Sequence, residues 1–143
     1  MAKNIPEDFP ADYEEKIRDL IRHDPRYAYE GYLFVFAALE YTQRMVARTR
    51  KPEGAILHVT GRELLDGIRR YAIKHFGLMA RTVFETWGVR RTDDFGEIVF
   101  SLVDAGLMRK TDTDTREDFR KVYDFAEAFE GETEHRKSWR PAD

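Results

Sequence analysis

The sequence predicts a mainly α-helical domain with one small β-hairpin near its C-terminal end. Three observations lead to this. Apolar residues recur at helical spacing through most of the chain before Gly106. Glycine closes each of the later helical stretches. After the last of these glycines, two short apolar runs flank a polar, turn-rich tip.

Residues 1–9 read as an irregular lead-in. A short helix starts near Pro10, with Tyr13, Ile17, Leu20 and Ile21 on one face. Asp24-Pro25 reads as an N-cap followed by proline at the first helical position. The long helix expected from there runs to about Arg50. Its first half, "YAYEGYLFVFAALEY", is apolar on nearly all sides and must therefore be buried. "KPEG" breaks it, and "AILHV" is a candidate short strand. "TGREL" is a capping box, in which Thr60 caps and Glu63 reaches back. Leu64, Leu65, Ile68, Tyr71, Ala72 and Phe76 form the apolar face of the helix that follows, and Gly77 ends it. "LMARTVFETWG" is a second short helix ending at Gly88. Thr92 is the expected cap of the next one. Its Phe95, Ile98, Val99, Leu102 and Val103 make an unbroken stripe, and Gly106 closes it. "LMRK" and "FRKVYDF" are the hairpin strands, with "TDTDTRED" as the tip.

The order of elements matches a winged helix, with a long central helix placed N-terminally. Residues 56–125 are similar to a winged helix-turn-helix, and one short helix is added before the would-be recognition helix. Residues 1–129 are expected to form a single domain, and 130–143 a polar tail. The segments "DPRYAYEGYLFVFAALEYT", "HVTGRELLDGIRRYA", "FGLMA", "WGVRRTDDFGEIVFSLVDAGLMRKT" and "DFRKVYDFAEAF" carry a wider likeness. Through them the chain resembles a family of small bacterial proteins. That resemblance implies no activity, ligand or partner.

The 143 residues are 42% apolar and 36% charged, the balance of a water-soluble fold. The N-terminus has no basic segment followed by an apolar one, and no apolar run reaches the roughly 20 residues of a spanning helix. A cytoplasmic protein without a membrane partner is expected. There is no cysteine, so disulfides and thiolate chemistry are excluded.

Charge is unevenly spread. The net charge is −1 over residues 1–59, +4 over 60–92 and −6 over 93–143. On the 92–104 helix, the face opposite the apolar stripe carries Glu97, Phe100, Ser101 and Asp104, after Asp93 and Asp94. Such a face repels phosphates where a recognition helix should attract them. A large aromatic ringed by carboxylates is instead a typical protein anchor. The leading expectation is thus a non-catalytic module that takes a protein partner through Glu97, Phe100, Ser101 and Asp104, with the wing. The alternative is DNA or RNA binding through Arg62, Arg69, Arg70, Arg90 and Arg91. A small-ligand sensor or enzyme is the third.

Catalysis finds little support. Ser101 and Ser138 are outside any nucleophile turn, and no phosphate-binding glycine loop is present. His23, His58, His75 and His135 lack metal-ligand spacing. His75 is expected half-buried on its helix. "DTDTREDFRKVY" starts like a calcium loop but has Glu117 and Tyr123 at two positions the loop cannot vary. No metal or cofactor is expected. Tyr27, Tyr29, Tyr32, Phe34, Phe36 and Tyr41 read first as core, and second as a pocket lined with hydroxyls.

Overall fold

A computed structural model describes residues 10–51, 57–109 and 115–130. Five helices account for most of them: α1 (Ala11–His23), α2 (Tyr29–Val46), α3 (Gly61–Phe76), α4 (Ala80–Thr86) and α5 (Thr92–Asp104). Short 3₁₀ turns occupy Gly77–Met79 and Arg116–Phe119, and a π-turn occupies Ala126–Glu130. No described helix is long and apolar enough to cross a membrane.

The all-round apolar half of α2 is the axis of the fold. Gly31 through Val35 are all buried. Phe34 meets Tyr71 and Phe76 of α3, Phe84 of α4, Trp87 and Phe95 of α5, with ring centroids 5.2–6.3 Å apart. Phe84 extends the cluster to Phe125 and Phe129 at 5.6 and 5.4 Å. Of the aromatic residues expected in the core, Tyr27, Tyr32 and Phe34 are buried, Tyr29 and Phe36 pack half-buried against them, and Tyr41 is half-buried. Ile17 anchors α1, and Tyr13 packs on Phe36. The apolar faces expected on α3 and α5 face inward, with Leu65, Ile68, Phe95, Ile98 and Leu102 fully buried. Gly77, Gly88 and Gly106 all take positive φ, the left-handed stops expected of them.

Three helix boundaries differ from expectation. α2 ends at Val46 rather than near Arg50. Asp24 ends α1 rather than starting α2, and its carboxylate binds the Arg26 side chain in the intervening turn. Thr92 lies inside α5, not at its cap.

The larger correction concerns the hairpin. Among the described residues there is no β-strand, so the winged-helix reading is withdrawn. Leu107–Arg109 is a turn, Arg116–Phe119 is 3₁₀, and the chain from Phe125 is helical. Residues 111–114 of the candidate tip and 55–56 of "AILHV" lie outside the described residues, as do Lys110, residues 52–54 and the expected tail after Glu130.

The physical reason is visible at α5. Thr92 is fully buried, and its Oγ1 donates to the Phe119 carbonyl at 2.7 Å and accepts from the Val122 N–H at 3.0 Å. The Asp93 carboxylate accepts from the Lys121 N–H at 3.0 Å. Backbone groups that a ladder would use are therefore satisfied by helix side chains. Lys121 itself sits at φ 47°, which turns the chain instead of extending it. The ring of Phe119 drops into a notch that two glycines leave open. A Cβ on Gly61 would lie 2.9 Å from this ring, and one on Gly96 would lie 2.7 Å from Phe119 Cβ. Residues 115–123 thus lie flat across the start of α3 and the outer side of α5.

Phe119→Ala is expected to cost about 3–5 kcal/mol. Thr92→Val should cost about 1–3 kcal/mol by leaving two backbone groups unpaired. Urea denaturation reads both, and midpoints unchanged from wild type would refute the lock.

Candidate functional site

The acidic face of α5 is not an open surface. Phe100 is only 7% exposed. Its ring meets Phe119 edge-on at 5.9 Å, and the Arg116 guanidinium lies 5.1 Å above it. The exposure expected of Phe100 is therefore corrected: the 115–123 segment covers it. Glu97 is half-buried between Arg26 and Arg116, at 3.4 and 3.2 Å. Asp94 accepts the Tyr27 hydroxyl at 2.6 Å and the backbone N–H groups of Arg90 and Arg91 at 2.9 and 3.1 Å. Burial and that bond to Asp94 push the Tyr27 hydroxyl well above its usual range. These carboxylates cap α5 and tie it to the turn after α1. Ser101 is half-buried, and Asp104 alone of the four residues is exposed.

The cationic residues are placed differently. Arg90 and Arg91 are exposed at the start of α5. Arg62, Arg69 and Arg70 lie on α3, where one carboxylate, Asp66, serves two of them: Arg70 at 2.9 Å and Arg69 at 3.4 Å. Arg62 is exposed and makes no hydrogen bond or ion pair among the described residues.

The structure adds what the sequence reading missed. α2 and α3 touch at Thr42 and Gly67, where any Cβ on the glycine would overlap the threonine hydroxyl. Thr42 Oγ1 is itself buried and donates to the Ala38 carbonyl at 2.6 Å. From this point a cleft of about 330 Å³ opens, bordered by Met45, Val46 and Thr49 of the α2 end and by Arg62, Glu63 and Asp66 of α3. Two side-chain rows flank the seam. On α3, Arg62, Asp66, Arg70 and Lys74 follow at steps of four. On α2, Tyr41 and Met45 follow at i and i+4. The rows meet at both ends of the groove: Met45 and Arg62 share the cleft, and the Lys74 ammonium lies 5.8 Å over the Tyr41 ring. Tyr71 stacks against Tyr41 at 5.2 Å and against His75 at 4.2 Å. His75, expected half-buried, is exposed.

Residues 40–51 and 61–76 together hold eight Lys and Arg against three carboxylates, Glu40, Glu63 and Asp66. Each carboxylate is taken by an arginine: Arg44, Arg50 and the Arg69–Arg70 pair respectively. Five of the eight cations, Arg44 and the four of α3, lie on two antiparallel helices in direct contact, and Arg48, Arg50 and Lys51 follow the end of α2. Arg44, Arg48 and Lys51 escaped the sequence reading because the basic end of α2 was averaged with the acidic residues of α1. A shorter window over "QRMVARTRK" shows it.

The far end of the groove is held by the Thr60 capping box. Glu63 N–H donates to Thr60 Oγ1 at 3.1 Å, Thr60 N–H donates to the Glu63 carboxylate at 2.9 Å, and Arg50 Nη1 bridges α2 to the same carboxylate at 2.9 Å. The Arg50 hydrogen bond is the main reason the Glu63 carboxyl is held below its usual range. Among the described residues, no three His, Asp or Glu are gathered as metal ligands. No protein-family model, no curated protein and no solved structure matches the chain.

Because the folded-state value for Glu63 is depressed, its contribution is present above the ordinary glutamate range and is lost as pH falls through the folded value. Glu63→Gln should therefore lower stability at neutral pH and flatten the loss on acidification, with the two proteins converging in strong acid. Thr60→Ala should cost about 1 kcal/mol. Denaturant titrations across pH check both, and parallel pH curves for the Glu63→Gln variant and wild type would refute the Glu63 assignment.

Proposed function

We propose that the protein binds an extended polyanion, a DNA or RNA chain, along the groove between α2 and α3. The observation that carries this reading is the pair of facing rows. Arg62, Arg70 and Lys74 follow the seam on α3, and Asp66, the one carboxylate of that row, is already taken by arginine. Phosphates are attracted by an excess of cations held at spacing along one face. Tyr41 and Tyr71 add aromatic surface to the same groove, which suits bases as well as phosphates. A protein partner at Glu97, Phe100, Ser101 and Asp104 loses its anchor, since Phe100 is covered by Phe119 and Arg116.

Arg90 and Arg91 belong to the start of α5, away from the α2–α3 seam. They are left out of the proposed surface. The overall charge of −3 works against indiscriminate binding, so an interaction confined to the groove should be modest and strongly salt-dependent.

The test is fluorescence anisotropy of labelled nucleic acid across a salt series. Micromolar binding at low salt is expected, falling steeply as salt rises. Arg62→Glu with Arg70→Glu should weaken it at least tenfold and flatten the salt slope, while Arg90→Glu with Arg91→Glu should leave it nearly unchanged. Equal loss in both double variants would show that the attraction is diffuse and not seated in the groove.

A further inference from the structure

We infer that the cleft at the Arg62 end of the groove receives a nucleobase, so that the strand taken is single. This rests on the polyanion reading above and deepens it.

The cleft differs from the rest of the groove in composition. Its inner wall is apolar, built from Met45, Val46 and the Thr42–Gly67 contact, and its volume is about 330 Å³. Phosphate has no use for such a wall, since an anion placed against it is desolvated without compensation. A flat, partly apolar ring is stabilised there. The rim is polar. Glu63 is committed to Arg50 and to the Thr60 cap, and Asp66 to Arg69 and Arg70. Arg62 is therefore the one charged group lining the cleft without an ion pair or hydrogen bond among the described residues. A guanidinium in that position can do either of two things for a strand. It can lie against the face of an inserted base, or it can hold the phosphate beside it while the base enters.

The geometry also argues against a duplex. In a duplex the bases are paired and stacked inward, and taking one out costs unpairing energy. Nothing in the groove resembles a helix free to enter a major groove: α2 and α3 pack side by side, and what they offer is a seam. A single strand can follow a seam, lay one base in the cleft and pass another over Tyr41 at the opposite end, where Lys74 already sits against the ring.

The experiment compares five labelled probes by anisotropy at one low salt concentration. They are a short single strand in ribo and deoxy forms, the same strand without bases, its duplex, and inorganic polyphosphate. The intact strand, in at least one sugar form, is expected to bind about tenfold more tightly than the abasic chain, the order of gain one stacked base brings. The duplex should bind more weakly than the single strand. Thr49→Leu fills the mouth of the cleft without changing charge, at an exposed position where folding is not at stake. It should remove most of the tenfold gap and leave abasic-chain and polyphosphate binding as they were. Equal affinity for intact and abasic strands, or a gap that survives Thr49→Leu, overturns the base assignment while the polyanion reading stands. A duplex bound as tightly as the single strand also overturns it. If no probe binds, or if Arg62→Glu with Arg70→Glu binds all of them as wild type does, the groove reading itself fails and takes this inference with it.

Discussion

The burial of α2 is the constraint from which the rest of the structure follows. A helix apolar on every side of its first half cannot face water, so neighbours must close round it. Phe34 collects α3, α4 and α5 in a single aromatic cluster, and Phe84 draws in the C-terminal turn through Phe125 and Phe129. α1 covers the remaining side with Ile17. Because α2 is closed in at its N-terminal half, its more polar C-terminal half is where it emerges beside α3, and the basic residues Arg48, Arg50 and Lys51 follow its end. The groove is a by-product of that geometry: the two helices touch at Thr42 and Gly67, and the cleft opens beyond.

The acidic residues of α5 show how charge can mislead when it is counted without coordinates. Asp93, Asp94 and Glu97 look like a repelling face on a helical wheel. In the fold they hold the Lys121 N–H, the Arg90 and Arg91 N–H groups with the Tyr27 hydroxyl, and the Arg26 and Arg116 side chains. Negative side chains at a helix N-terminus complement the helix dipole and satisfy orphan donors. Here they also fix a non-regular segment that no ladder supports. Phe119 between Gly61 and Gly96 gives that segment its apolar anchor, and Phe100 becomes a wall of the anchor rather than a docking point.

The cationic surface has the opposite character. Its arginines outnumber their carboxylates, and Asp66 must divide itself between two of them. At α5, by contrast, each carboxylate of the first turns is held by a defined donor. The proposed polyanion reading rests on that imbalance along the seam, with Tyr41 and Tyr71 beside it.

The sequence by itself determined the helices with unbroken apolar stripes. α3 with its capping box, α5 with Phe95, Ile98, Val99 and Leu102, and the buried half of α2 are all local patterns whose period is their own signal. It also determined the stops at Gly77, Gly88 and Gly106, because positive φ is a local demand. Only the tertiary structure decided the fate of the segment after Gly106. Short apolar runs on either side of a polar tip suggested strands, but a strand exists only if its backbone finds a ladder, and Thr92 and Asp93 had already taken those groups from a distance of about thirty residues. The candidate site divides the same way. Arg62, Arg69 and Arg70 were legible as a basic helix face, whereas Tyr41 and Met45 join them through one contact, Thr42 on Gly67. Neither spacing nor composition can announce a contact between residues so far apart along the chain.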